Sequence, residues 1–220
     1  MDEQKATKCI ALLEELYGIP QPDGIDPVDL LVMTILSQNT SDTNSLRAFT
    51  LLKSAFGDYE VLLAASDDAV ADRIRPGGLA EIKARRIKEA LVKIKQDAGT
   101  ISLSFLADMN KEEAMAYLLS LPGVGPKTAS VVLLFAFGMP FLPVDTHVYR
   151  ISRRLGLVAE DVRPEKAQPI LERLVPAEKY LSLHLNLIKH GRLICRARGA
   201  KHEECALRNC CDYYLQGQKP

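Results

Sequence analysis

The chain has 220 residues, 28 basic against 28 acidic, and is 47% hydrophobic with no Trp and 6% aromatics. That is enough apolar material for one large domain or two small ones, with cores built mainly from aliphatic side chains. No stretch approaches the roughly 18 continuous apolar residues of a membrane span, MDEQKATK lacks the apolar core of a signal peptide, and five Cys, an odd number with four of them clustered near the C-terminus, are not the spread, even set of a secreted disulfide framework; the expectation is a soluble, cytoplasmic protein with no membrane partner.

The periodicity predicts helices nearly throughout. Residues 3–17 place Ile10, Leu13 and Leu16 at helical spacing, and Gly18 follows as a stop. Asp26-Pro27, a cap and a first-turn proline, opens VDLLVMTILSQ. Residues 39–42 form a polar break with capping residues, and the next helix, carrying Leu46, Phe49, Leu52 and Phe56, ends at Gly57. Short helical pieces fill 58–75, Pro76-Gly77-Gly78 is a turn, and 79–97 is a long basic helix. Asn110 caps KEEAMAYLLSL. No segment alternates as a strand and no repeat is present, so the fold class is all-α, with roughly ten or more helices.

A net charge of zero names no partner, but the distribution is uneven. Residues 1–79 carry 6 basic and 13 acidic side chains, 83–95 carry six basic and one acidic, and 189–201 carry five basic and none acidic. Basic runs of this kind suit either solvated helix faces or one face that meets a polyanion.

Residues 110–137 read NKEEAMAYLLSLPGVGPKTASVVLLFAF. Here one helix ends at Leu121, a tight Pro122-Gly123-Val124-Gly125 loop follows, and Pro126 opens a second helix. Glycines let an oxygen-rich ligand approach the backbone, and the helix start offers N–H groups and partial positive charge. Such a hairpin grips phosphate without reading bases; a plain helical hairpin with two glycines is the structural alternative.

LPGVGPKTA resembles the helix-hairpin-helix of DNA repair proteins. Together with PVDTHVYRISRRLG at 143–156, ILSQNTSD at 35–42, GGLAEIKARRI at 77–87 and the C-terminal cysteines, it resembles the endonuclease III family of DNA glycosylases. The resemblance implies two all-α lobes with damaged double-stranded DNA in the groove between them. One is a six-helix barrel over 25–137; the other joins the N-terminal helix (1–24) to 138–220 and carries an iron–sulfur cluster. It implies a bifunctional glycosylase with AP-lyase activity on oxidised pyrimidines, acting as a monomer. Lys127 is the implied Schiff-base nucleophile and Asp145, eighteen residues on, its carboxylate partner. A lysine at the positive end of a helix is disfavoured as an ammonium, which suits a nucleophilic amine; on the residues alone Asp145 also suits an N-cap.

The target base must leave the duplex, and the resemblance makes Gln38 and Leu79 the residues that fill the hole. Gly123, Val124, Gly125, Thr128, His147, Arg150, Arg192 and Arg196 complete the implied DNA contacts, although for His147 a satisfied structural role is the preferred reading and no chemistry is assigned to it. Where relatives often carry Tyr-Asn after the leucine, this chain has Ala80-Glu81, which keeps mismatched thymine or uracil, or a modified cytosine, open as the substrate. A non-catalytic binding module is the remaining alternative, and the presence of both Lys127 and Asp145 argues against it.

The family's cluster spacing, Cys-x6-Cys-x2-Cys-x5-Cys, laid on Cys195 falls on His202, Cys205 and Cys211. A histidine thus stands where a thiolate is expected, and Cys210 is an extra neighbour. A [4Fe–4S] cluster with His202 as fourth ligand, the same cluster with Cys210 instead, zinc, and a labile or lost cluster are the possible outcomes, the cluster being preferred. The loop's Arg192, Arg196, Arg198 and Lys201 suit DNA phosphates. Cys9, on the apolar side of the first helix, is expected in the core.

Overall fold

The computed structural model of the chain describes residues 2–22 and 24–217. Among them all regular structure is helical: α1 (Glu3–Tyr17), α2 (Pro27–Ser37), α3 (Asp42–Phe56), α4 (Tyr59–Ala64), α5 (Asp67–Ile74), α6 (Ala80–Ala98), α7 (Lys111–Leu119), α8 (Pro126–Phe137), α9 (Thr146–Leu155), α10 (Pro164–Leu174), α11 (Tyr180–Leu193) and α12 (Asp212–Leu215), with short 3-10 turns between several of them. Among the described residues no helix is long and apolar enough to cross a membrane. The capping residues read from sequence are in place. Asp26 accepts from the N–H groups of Val28 and Asp29, and Asn110 and Glu113 form both halves of a capping box. Gly57 closes α3 at φ +64°. The long basic helix starts one residue later than its periodicity suggests, because Leu79 adopts a left-handed φ of +51° and precedes α6 instead of joining it.

The chain divides into two compact units. One combines the residues up to Pro22 with those from Pro140 on; the other runs between them, up to Met139.

In the continuous unit, α2 and α8 are apolar almost all round. Val28, Leu30, Leu31, Val32, Ile35 and Leu36 of α2 are buried, as is every residue from Thr128 to Leu134 in α8. Helices with no polar stripe belong at the middle of a core. α6 is amphipathic and packs against α5, α4 and α2. It turns Ala84, Ile87, Leu91 and Ile94 inward at three- and four-residue spacing, each large one contributing about 1.5–3 kcal/mol of burial, and leaves Arg85, Arg86 and Lys95 exposed. One residue breaks this pattern: Lys83, on the inner face, is 1% exposed.

In the discontinuous unit, α1 packs Cys9, Ile10 and Leu13 into the core. Polar contacts then fix it to elements far along the chain. The Glu14 carboxylate accepts from Lys179 Nζ (2.8 Å) and Ser182 Oγ (2.6 Å), and Asn186 donates to the carbonyl of Gly18 (3.0 Å). At the other end of α1, Lys5 pairs with Asp212 of α12 at 2.5 Å.

Candidate functional site

The hairpin lies wholly within the continuous unit. Leu121 and Val124 are buried and anchor it, Gly123 turns it at φ +77°, and Gly125 precedes α8 with no side-chain cap on the first turn. The Gly123 turn is closely covered: a Cβ there would lie 2.7 Å from Cδ of Arg86. Thr128 is buried on the inner side of α8, whereas Lys127, its neighbour, is exposed at the helix start. The hairpin is tied to the end of α2. Gln38 Nε2 donates to the carbonyl of Gly123 (3.0 Å) and lies 3.4 Å from Thr128 Oγ1. Gln38 is therefore not a loose helix-end side chain; it is held against the Gly123 turn.

Leu79 is 52% exposed, so it is not the core leucine that its hydrophobicity alone suggests. Among the described residues, Asn39 (φ +54°) and Leu79 (φ +51°) are the two non-glycine residues with left-handed backbone. That conformation is disfavoured for a leucine and marks strain of the kind found at functional turns.

Asp145 sits in the other unit as the N-cap of α9, its Oδ1 accepting from the Val148 N–H at 2.7 Å. The segment leading to it is pinned by His184, 3% exposed, whose Nδ1 lies 2.8 Å from the carbonyl of Pro143. One turn further along α9, Arg150 reaches into the cysteine segment. Its guanidinium donates to the carbonyls of Cys195 (2.9 Å) and Gly191 (3.2 Å) and lies 3.1 Å from Nδ1 of His147. The close approach needs Gly191, where a Cβ would lie 2.5 Å from that same Nδ1. Both Arg150 and His147 are thus engaged in holding α9 to the cysteine segment. Arg192 and Arg196 are exposed, and Arg196 Nε donates to the Arg192 carbonyl at 3.1 Å.

Cys195, His202, Cys205 and Cys211 line a single cavity with Arg154, Tyr213 and Tyr214. Cys210 does not line it. Its sulfur turns toward the core, 3.3 Å from Sγ of Cys9 and 3.2 Å from the Leu207 carbonyl. Arg154, within the PVDTHVYRISRRLG stretch but given no role from sequence, donates to the Cys195 sulfur (3.2 Å) and to the carbonyls of Arg196 (2.8 Å) and Ala197 (3.1 Å). The ring of His202 stacks near both tyrosines, 5.9 Å from Tyr213 and 5.7 Å from Tyr214. Burial pushes the Cys205 thiol up to about 11, so it stays protonated unless a bound cation draws off the proton. Among the described residues no three His, Cys, Asp or Glu side chains gather as a single ion demands.

Three comparisons bear on this arrangement. Residues 32–177 match the family model of the HhH-GPD superfamily base excision DNA repair protein. The chain belongs to the HhH-GPD superfamily. It is 35% identical over 195 residues to endonuclease III of Thermotoga maritima, covering 88% of this chain and 86% of that one, and 33% identical over 188 residues to endonuclease III of Escherichia coli, covering 85% and 84%. It also spans 60% of the length of a putative DNA glycosylase of Arabidopsis thaliana, at 38% identity over 176 residues. Among solved structures it matches a non-covalent endonuclease III–DNA complex at TM-score 0.84 and 26% identity, and a trapped endonuclease III–DNA covalent intermediate at 0.82 and 27%, each over 100% of both chains. With a thermostable thymine-DNA glycosylase, at TM-score 0.81 and 23% identity over 97% and 98%, it shares the fold. Its homologues make this HhH-GPD chain a base-excision enzyme of the endonuclease III type. The LPGVGPK turn and the aspartate cap of α9 both lie within the matched span.

Proposed function

We propose that the chain removes oxidised pyrimidines from double-stranded DNA and then nicks the strand, with Lys127 as nucleophile and Asp145 as its partner carboxylate. The observation that carries this is the exposed lysine in the first turn of α8, directly after a glycine turn whose helix start has no side-chain cap. The turn offers phosphate a set of backbone donors. The amine nitrogen attacks C1′ of the deoxyribose, and the glycosidic electron pair leaves with the base. Asp145 takes the proton that the amine gives up and stabilises the positive charge on the sugar. Ring opening leaves an imine to Lys127, loss of a C2′ proton expels the 3′ phosphate, and water releases the lysine.

Gln38 and Leu79 enter the duplex to replace the extruded base, as the partly held amide and the half-exposed, strained leucine suggest. Cys195, His202, Cys205 and Cys211 would hold a [4Fe–4S] cluster whose part is structural: it fixes a loop rich in cations for phosphate. Cys210, turned to Cys9, is the less suited fourth ligand. A single chain suffices for the chemistry, and the protein works as an intracellular monomer.

Ala80, which is buried at the start of α6, stands where relatives often carry a tyrosine beside the leucine, which leaves open a second reading on mismatched thymine or uracil, or a modified cytosine. Borohydride trapping separates these. Wild type and Lys127→Ala are compared on duplexes containing thymine glycol, dihydrouracil, uracil, a G·T mismatch, 5-methylcytosine and an abasic site. An adduct on the oxidised pyrimidines that vanishes in the variant is the expected result. An adduct only at the mismatch moves the substrate class, and an adduct that survives Lys127→Ala overturns the nucleophile.

A further inference from the structure

The one lysine on the buried face of α6 has a task that neither catalysis nor packing explains. Lys83 is 1% exposed, and an aliphatic residue there would avoid the desolvation that lowers its pKa. Its ammonium donates to the carbonyl of Leu36 at 2.7 Å and to the carbonyl of Gly77 at 2.8 Å. Leu36 lies in the last turn of α2, where carbonyls have no partner within the helix. Gly77 ends the turn that leads to α6. The two segments touch at that point: a Cβ on Gly77 would lie 3.2 Å from Cβ of Ala48 and 3.8 Å from the Leu36 carbonyl oxygen.

Each carbonyl lies two residues before a residue that the proposed function sends into DNA. Gln38 follows Leu36, and Leu79 follows Gly77. Each is also next to strained backbone, Asn39 at φ +54° and Leu79 itself at φ +51°. Strained turns persist only where their surroundings over-determine them, and a charge-assisted bond to a carbonyl is the strong form of such a constraint.

We propose that Lys83 is a positioning residue: its buried ammonium clamps the two insertion loops to each other, so that Gln38 and Leu79 enter the duplex as one rigid wedge. This rests on the reading of those two residues as the ones that replace the extruded base. The clamp is set before DNA arrives, which spares the complex the ordering of two loops during base extrusion.

The test is a double-mutant cycle read by 2-aminopurine fluorescence beside the lesion, which reports extrusion, and by single-turnover excision. Lys83→Met keeps the length and apolar stem but removes the donors. In the wild-type background it is expected to lower extrusion and excision at least tenfold, with a much smaller effect on β-elimination at a preformed abasic site. In a Gln38→Ala, Leu79→Ala background it is expected to change extrusion less than twofold, because the parts it holds are gone. A merely structural lysine would cost the same factor in both backgrounds, and that outcome overturns the clamp, as does wild-type extrusion by Lys83→Met. If Lys83→Met does not fold by circular dichroism, Lys83→Gln, a polar side chain that ends one bond short of the ammonium and so cannot bridge both carbonyls, runs through the same cycle with the same criteria. Absence of extrusion and excision by the wild-type chain on every duplex would instead refute the base-removal reading, so the two failures are distinct.

Discussion

Asp145 is asked to do two things, and the structure lets them be separated. Its Oδ1 accepts from the Val148 N–H at 2.7 Å and so caps α9, while the proposed chemistry needs a negative carboxylate. Asn keeps an acceptor oxygen in the capping position and ranks with Asp as a cap. Asp145→Asn therefore loses only the charge at the helix start, about 0.3–1 kcal/mol. Asp145→Ala also loses the bond, for a total of about 1–2 kcal/mol. In a chain of this length each kcal/mol moves the melting temperature by about 2–4 °C, so Asn should melt close to wild type and Ala several degrees lower. Base excision responds differently: both variants should lose about 10²–10⁴-fold, the contribution of a positioned acid or base. Thermal melts followed by circular dichroism, beside single-turnover excision on a thymine glycol duplex, measure the two axes. Excision by Asp145→Asn at the wild-type rate would refute a chemical part for the carboxylate. Equal melting of the Asn and Ala variants would refute the cap.

Three further outcomes test other parts of the structure. His202→Cys should hold the visible absorbance of the cluster longer against chelator and air than wild type, and Cys211→Ser should lose it, whereas Cys210→Ser, whose sulfur faces Cys9, should keep it; anaerobic reconstitution followed by absorbance spectroscopy checks all three. Gly156→Ala should destabilise by about 2–4 kcal/mol in urea, since the residue needs φ +78° and its Cβ would lie 1.8 Å from Oδ2 of Asp212, the residue after Cys211. Burial alone would raise the pKa of Glu14, but hydrogen bonds from Lys179 and Ser182 outweigh it and hold the carboxyl below its usual range. A depressed carboxyl stabilises above its unfolded pKa and loses that contribution as pH falls through the folded value, so the unfolding free energies of wild type and Glu14→Gln from urea titrations should differ by about 1 kcal/mol at pH 7 and converge below about pH 4.

The helices were legible because their signals are local. Asp26-Pro27, Asn110 with Glu113, and Gly57 each specify a boundary through a bond that closes within four residues, so the sequence neighbourhood contains the whole cause. Leu79 was legible only through the motif around it. Hydrophobicity alone would bury it; a left-handed turn exposes it, and nothing in the letters GGLAE forces a leucine to positive φ. The cysteines were legible as a spacing, and the spacing named His202. That Cys210 turns away toward Cys9, 201 residues distant, depends on where α1 docks, which no local pattern encodes. Arg154 was missed for the same reason: RISRRLG reads as an ordinary basic helix face, yet its guanidinium meets the Cys195 sulfur across 41 residues.

What the sequence concealed has a common form. Gln38, Leu79 and Asp145, read from motifs, lie at chain turns, where periodicity breaks and capping or glycine residues show. The residues that hold those turns lie within helices, where nothing breaks. His184, in the middle of α11, holds the carbonyl of Pro143, two residues before Asp145. Lys83, in α6, holds the carbonyls two residues before Gln38 and two before Leu79. In each case a long polar side chain on a regular helix fixes main chain just upstream of a working residue and leaves that residue's own side chain to meet its ligand. A carbonyl is a good handle for this, because every residue has one and gripping it constrains φ and ψ on both sides without specifying the side chain there. Both holding residues are buried at 3% exposure or less, where an unsatisfied polar group is costly. Loss of either side of such a contact is therefore penalised, and the turn is kept in one conformation. A buried polar residue on the apolar face of a helix, opposite a motif-bearing turn, is thus a feature to seek in a sequence once its fold is known.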